Sequence, residues 1–219
     1  EVRFIAPDLR GRGRSNTLPG PYGMPVHADD LATVLKVLDV PRAVVAGHSM
    51  GAFAALVLAN RHPQLVGSLV LVDGGLPLDV PAGLSDEQVV QAVLGSAAER
   101  LNRVFASREE YLELWKPHPA FVGHWNALLH DYLDYDLAPD GAGGLRSATS
   151  YAALAEDIAD LHRGTALLQA LEELAHPVHL LRAPRGLLNE EPGLYAPDYI
   201  NAWRERLPQL RVTDVPGTN

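Results

Sequence analysis

Residues 44–63, VVAGHSMGAFAALVLANRHP, decide how this chain is read. An apolar run of strand length breaks at Gly47-His48-Ser49-Met50-Gly51 and resumes with helical spacing as far as Asn60, where Arg-His-Pro stops it. A Gly-x-Ser-x-Gly turn from strand into helix lifts the serine hydroxyl clear of the sheet. Glycines are expected on both sides because a side chain there would strike neighbouring backbone. The geometry sets Ser49 at the carboxyl edge of a sheet and turns the N–H of Met50, with the positive end of the helix, toward the same point. A developing oxyanion would be held there.

Outward from that turn the pattern is regular. Residues 2–6 alternate and end at Pro7, which predicts a strand running into the turn DLRGRGRS, 8–15. Leu31, Val34, Leu35 and Leu38 recur at i, i+3, i+4 and i+7, a helical face directed at a core, and Pro41 ends it. Residues 43–46 read as a strand and 52–60 as a helix. Residues 69–72 are apolar at every position, as in a parallel strand covered by helices on both faces. Strand, helix, strand, helix, strand predicts right-handed crossovers and an α/β fold with a doubly wound, mostly parallel sheet.

From about Pro77 to His176 the patterns are helical and no strand is expected. SDEQVVQAVLGSAAERL and SREEYLELW open on Ser85 and Ser107 as N-caps, ALLHDYLDY and YAALAEDIADL follow, and PDGAGG reads as a flexible loop. The sheet pattern returns in HPVHLLRAP, then a helix with Pro197 near its start, then a last strand in LRVTDVPGTN. The expected organisation is a core in two parts, 1–76 and 177–219, interrupted by a helical cap at 77–176.

Composition narrows the function classes. With 219 residues and 47% hydrophobic content the chain can bury one sizeable core. A net charge of −9, with 18 basic residues scattered rather than clustered, argues against nucleic acid as a partner. The absence of cysteine removes disulfides and thiolate metal sites and fits a cytoplasmic location. No apolar run is long enough to span a bilayer. His118, His124 and His130 have no metal-ligand spacing, so neither metal nor other cofactor is expected.

The chain resembles the α/β-hydrolase superfamily, in particular its esterase-like members with a helical cap. The resemblance runs over nearly the whole length. It rests on DLRGRGRS, similar to the loop after the family's fourth strand; on GHSMG with RHP one helix later; on LVLVDGG; and on PVHLLRAP as the seventh strand. It implies acyl transfer by a triad of serine, acid and histidine, with a cap closing over the pocket. Serine at position 49 disfavours the alkyl-enzyme chemistry of relatives whose nucleophile is aspartate.

A serine hydroxyl needs a histidine to take its proton, and the histidine needs a carboxylate to hold its tautomer. In most of the family the acid follows the seventh strand, but Arg185 and Gly186 stand there. Some relatives carry it at the end of the sixth strand, where Asp73 falls 24 residues after Ser49. Asp73 is therefore the favoured acid, with Glu190 or Glu191 the alternative should Asp73 merely close a strand exit. No histidine follows the last strand: the final one, His179, is inside the seventh. His48, next to the nucleophile, reads as a packed neighbour. The catalytic histidine is expected beyond Asn219, and the first three strands of the family's sheet before Glu1.

The function expected is hydrolysis of a carboxylic ester, lactone or thioester of a small apolar substrate through an acyl-enzyme. Phe121, Trp125, Tyr132 and Tyr135 either line an apolar pocket or pack a core. A C–C bond hydrolase with the same triad, or a non-catalytic binding protein on the same fold, are the rival readings. Oligomeric state stays open.

Overall fold

A computed structural model describes residues 2–78, 80 and 83–216, the side chains of 96–98 excepted. In chain order its elements are α1 (Met24–Val37), β1 (Ala43–His48), α2 (Met50–Arg61), β2 (Val66–Val72), α3 (Asp86–Leu94), α4 (Ser96–Asn102), α5 (Arg108–Trp115), α6 (Ala127–Tyr135), β3 (Leu137–Pro139), β4 (Leu145–Ser147), α7 (Tyr151–Arg163), α8 (Ala166–Glu172), β5 (Val178–Arg182), α9 (Pro197–Arg206) and β6 (Leu210–Asp214). They fall into two compact units. One comprises Met24–Val80 and Gly164–Asn219, the other Glu1–Gly23 and Pro81–Arg163.

The first unit holds a four-stranded sheet, entirely parallel, in the order β1-β2-β5-β6. Helix α2 lies against β1 and β2 and also against α1 and α8. Enclosed in this way, it is buried on every side from Ala52 to Ala59, and its all-apolar sequence follows from that position. The inward face of α1 is Met24, Ala28, Ala32 and Leu35, with His27 beside them. Of the expected stripe only Leu35 is buried, because the small Ala28 and Ala32 let α1 approach its neighbour closely.

Two expectations fail in this sheet. Among the described residues the two faces of β2 are covered unequally: Leu69 and Leu71 are buried while Ser68, Val70 and Val72 are half-buried. Helix α2 packs on the side that carries Leu71 and its register partner Gly47, and the other side of β1 leaves Val44 68% exposed. Alternating residues 2–6 form no strand. A strand needs a neighbour to take up its N–H and C=O groups; among the described residues none pairs with this segment, and Val2 and Phe4 are exposed.

The second unit is mainly helical. Ser85 closes a reciprocal capping box with Gln88, and the Ser107 hydroxyl accepts from the Glu110 N–H, as their positions predicted. Asn126 caps α6 in the same manner. Gly95 splits the first expected helix into α3 and α4. The expectation of a strand-free insertion is overturned, since β3 and β4 pair antiparallel and Phe105 bridges to Leu145. PDGAGG is the loop of that hairpin, tied by Asp140 Oδ1 accepting the N–H groups of Ala142 and Gly144, both at 2.8 Å. A carboxylate that satisfies two loop amides replaces the disorder expected from glycine content.

Phe105, Tyr111, Leu112, Leu133 and Leu137 form a core, with Phe121 and Trp125 packed against it. The loop 8–15 is bound to α7: Ser150 N–H donates to Gly11 O at 2.8 Å, and Arg12 pairs at 2.5 Å with Asp157, whose carboxylate is fully buried and also accepts the Gly23 N–H. Residues 79, 81 and 82, within the expected cap, and 217–219, in the expected final strand segment, lie outside the described residues.

Because α2 is closed in on all sides, truncating Leu56, which has no exposed surface, to Ala is expected to cost about 2–5 kcal/mol in urea unfolding.

Candidate active site

Strand β1 delivers the chain to Ser49 and α2 takes it away, with no residue between them. Ser49 sits at φ 48°, ψ −117°, a left-handed-side conformation that a side chain rarely accepts and that costs about 1–3 kcal/mol. Its amide donates to Val72 O at 2.9 Å, and its carbonyl accepts from Ala52 N–H at 3.0 Å, so both sides of the turn are bound. Met50 is the first residue of α2, at the helix end where the dipole is positive.

The flanking glycines differ in their reasons. A Cβ on Gly47 would lie 2.2 Å from the Gly51 carbonyl oxygen, an impossible contact with backbone. A Cβ on Gly51 would meet nothing within 4 Å. The expectation that a side chain would clash at both positions is corrected: Gly47 must lack a side chain, and Gly51 matters as the backbone that Gly47 approaches. A third glycine, Gly74, shares the constraint from the neighbouring strand, since its Cβ would stand 2.4 Å from Ser49 O.

Asp73 lies at the end of β2, next to β1, and is the second strained residue of this edge, at φ 40°. Its amide donates to Leu181 O at 2.8 Å, and its Oδ1 accepts from Ala183 N–H at 3.2 Å. The residue is 1% exposed, and Oδ2 has no hydrogen-bond partner among the described residues. Burial pushes its carboxyl above the usual carboxylate range, opposed by the Ala183 N–H and by the charges of His48 and Arg182. Oδ2 is free to accept a hydrogen bond from a donor N–H.

The other expected groups sit elsewhere. Glu190 and Glu191 are exposed in the loop after β5, where Glu191 pairs with Arg185 and Glu190 lies over Gly186. His48 is exposed at the end of β1, aligned with Val72. His179 in β5 is joined to the Thr213 hydroxyl at 2.9 Å. His118 packs in tilted contact against Trp115 and Phe121, and burial lowers its pKa; His124 and His130 are exposed. Phe121 and Trp125 are core packing, whereas Tyr132 is exposed and the Tyr135 hydroxyl donates to Asp8 at 2.6 Å. Among the described residues no group of three or more acidic or histidine side chains is placed to hold a metal, and no helix is long and apolar enough to cross a membrane.

Sequence reasoning did not find Arg182, Tyr195 and Tyr199. Arg182 holds Asp214 through two 2.7 Å bonds and the Tyr195 carbonyl through a third at 2.9 Å. The hydroxyls of Tyr195 and Tyr199 donate to the carbonyls of Leu76 and Pro77 at 2.7 Å each. An arginine in an apolar strand was the one local signal of such a network.

Residues 1–110 match the family described as the alpha/beta hydrolase fold. The 2-(acetamidomethylene)succinate hydrolase of Mesorhizobium japonicum is 29% identical over 216 residues, 98% of this chain and 70% of that protein. An uncharacterized protein of Mycobacterium tuberculosis is 42% identical over 77 residues, 35% of this chain; the match spans 23% of that relative's length. Among solved structures, the crystal structure of E-2-(acetamidomethylene)succinate hydrolase aligns with a TM-score of 0.71 at 24% identity, covering 96% of this chain and 71% of that one.

A carboxyl whose pKa is raised by folding stabilises the native state fully below its unfolded pKa and loses that contribution as pH rises through the folded value. Asp73→Asn, neutral at all pH, is therefore expected to melt above the parent at pH 7, with the difference closing as pH falls toward the ordinary carboxyl value. Paired thermal melts across that range check it.

Proposed function

Because the chain belongs to the alpha/beta hydrolase family, we propose that it is a serine hydrolase acting on a carboxylic ester, lactone or thioester of a small apolar substrate. One juxtaposition carries the reading: a serine held in a strained turn at the head of a buried helix, and on the adjacent strand end a buried carboxylate with one oxygen open. Adjacent strands are about 4.8 Å apart, so one imidazole can touch both side chains.

In this mechanism the Ser49 hydroxyl attacks the substrate carbonyl as the histidine takes its proton, and the Met50 N–H with the α2 dipole receives the charge that develops on oxygen. Collapse of the tetrahedral intermediate expels the alcohol or thiol, protonated by the same imidazole. Water then repeats the sequence on the acyl-enzyme and releases the acid. Asp73 holds the imidazole through Oδ2 and stabilises the imidazolium. The mechanism calls for a histidine as the base, and residues 77–176 are assigned to a cap. Glu190 and Glu191 fit the acid's role less well, because both are exposed and Glu191 is already paired to Arg185, and an exposed carboxylate orients an imidazole weakly.

The name of the Mesorhizobium relative adds a carboxylate-bearing amide to the substrates worth assaying beside simple esters. Ser49→Ala is expected to abolish turnover of a p-nitrophenyl ester by the intact protein, by at least about 10³-fold, with an unchanged circular dichroism spectrum. A fluorophosphonate should label the parent at Ser49 and not the variant. Undiminished turnover by the alanine variant, or no adduct on the parent, would refute the assignment.

A further inference from the structure

Asp73 occupies a left-handed backbone conformation, and such strain in a residue other than glycine persists only where the surroundings over-determine it. On the β5 side Asp73 is bound through its amide and Oδ1, and on the β1 side Gly74 is wedged against Ser49. Beyond Gly75 the chain leaves the sheet, and the carbonyls of Leu76 and Pro77 lose ladder partners. They are taken instead by two tyrosine hydroxyls, Tyr195 to Leu76 and Tyr199 to Pro77.

These tyrosines are themselves anchored. Their rings stack with centroids 5.9 Å apart and planes 8° from parallel, and Tyr199 abuts Trp203. The Tyr195 carbonyl is gripped by Arg182, which is locked to Asp214. Tyr195 is 1% exposed, and burial raises its phenol pKa, with the negative charge of Asp73 adding to the rise. Phenylalanine would fill the same volume; the two hydroxyls are spent on consecutive carbonyls three and four residues after Asp73.

We infer that the stacked Tyr195–Tyr199 pair is a positioning device for Asp73, fixing the exit of β2 so that the open carboxylate oxygen stays aimed where an imidazole would meet it. This rests on the reading of Asp73 as the orienting acid. The pair touches neither substrate nor reacting atoms, so its effect belongs in kcat and must pass through Asp73.

The test is a double-mutant cycle on the intact enzyme with a p-nitrophenyl ester, using Tyr195→Phe, Tyr199→Phe, Asp73→Asn and the Tyr195→Phe/Asp73→Asn double variant. Loss of one aligned hydrogen bond predicts that Tyr195→Phe lowers kcat about tenfold with KM within about twofold, and that the same change adds less than about twofold once Asp73 is Asn. Tyr199→Phe, at a partly exposed ring, should act in the same direction and carries the test if Tyr195→Phe melts far below the parent. Equal factors in both backgrounds, a raised KM at constant kcat, or unchanged kcat in both tyrosine variants beside an impaired Asp73→Asn would overturn the inference alone. Full turnover by Asp73→Asn would instead remove the acid assignment, and this inference with it.

Discussion

The approach of one backbone to another at Gly47 and Gly51 governs the rest of the sheet edge. The end of β1 runs so close to the first turn of α2 that no side chain fits on Gly47. Only a chain bent this sharply can pass from a strand into a helix without a loop, and the bend forces Ser49 into its strained conformation. Gly74 repeats the constraint from the adjacent strand, so the exits of β1 and β2 lock against each other. The strain at Ser49 is held by hydrogen bonds to β2 and within α2, and that at Asp73 by hydrogen bonds to β5 and the residue after that strand, rather than by either residue's own preference.

Asp73 shows what such an edge costs in stability. A carboxylate hidden from water, with a single backbone donor on one oxygen and none on the other among the described residues, disfavours the charged form of the folded state. Arg182 offsets part of that cost at a distance while it clamps Asp214 and the Tyr195 carbonyl. The helical unit handles its own buried acid differently. Asp157 is fully paired, to Arg12 and to the Gly23 amide, and serves as a brace between the loop 8–15 and α7. Asp136 likewise gathers Tyr111, Arg100 and the hydroxyls of Ser147 and Thr149. Among these three carboxylates only Asp73 keeps an oxygen in reserve.

Local chemistry made much of this legible. The turn at 47–51, the helices opened by Ser85 and Ser107, the strands at 66–72 and 178–182, and the helix entered through Pro197 follow from periodicity, caps and glycine positions, each of which acts over a few residues. Where reading failed, the deciding partner was remote in sequence. Residues 2–6 have a strand's alternation but no neighbour to bond, and 137–147 became a hairpin because Asp140 orders a glycine-rich loop that alternation alone does not mark.

What the sequence by itself determined is the parallel α/β architecture and the serine's place at the carboxyl end of a strand, since both depend on short-range sterics and on the period of apolar residues. Which face of α1 and β2 is buried, that Asp73 is sealed from water with one oxygen open, and that Arg182, Tyr195 and Tyr199 converge on the exit of β2 were decided only in the tertiary structure. Burial and hydrogen-bond partnership across a hundred residues are properties of packing, and no local pattern encodes them.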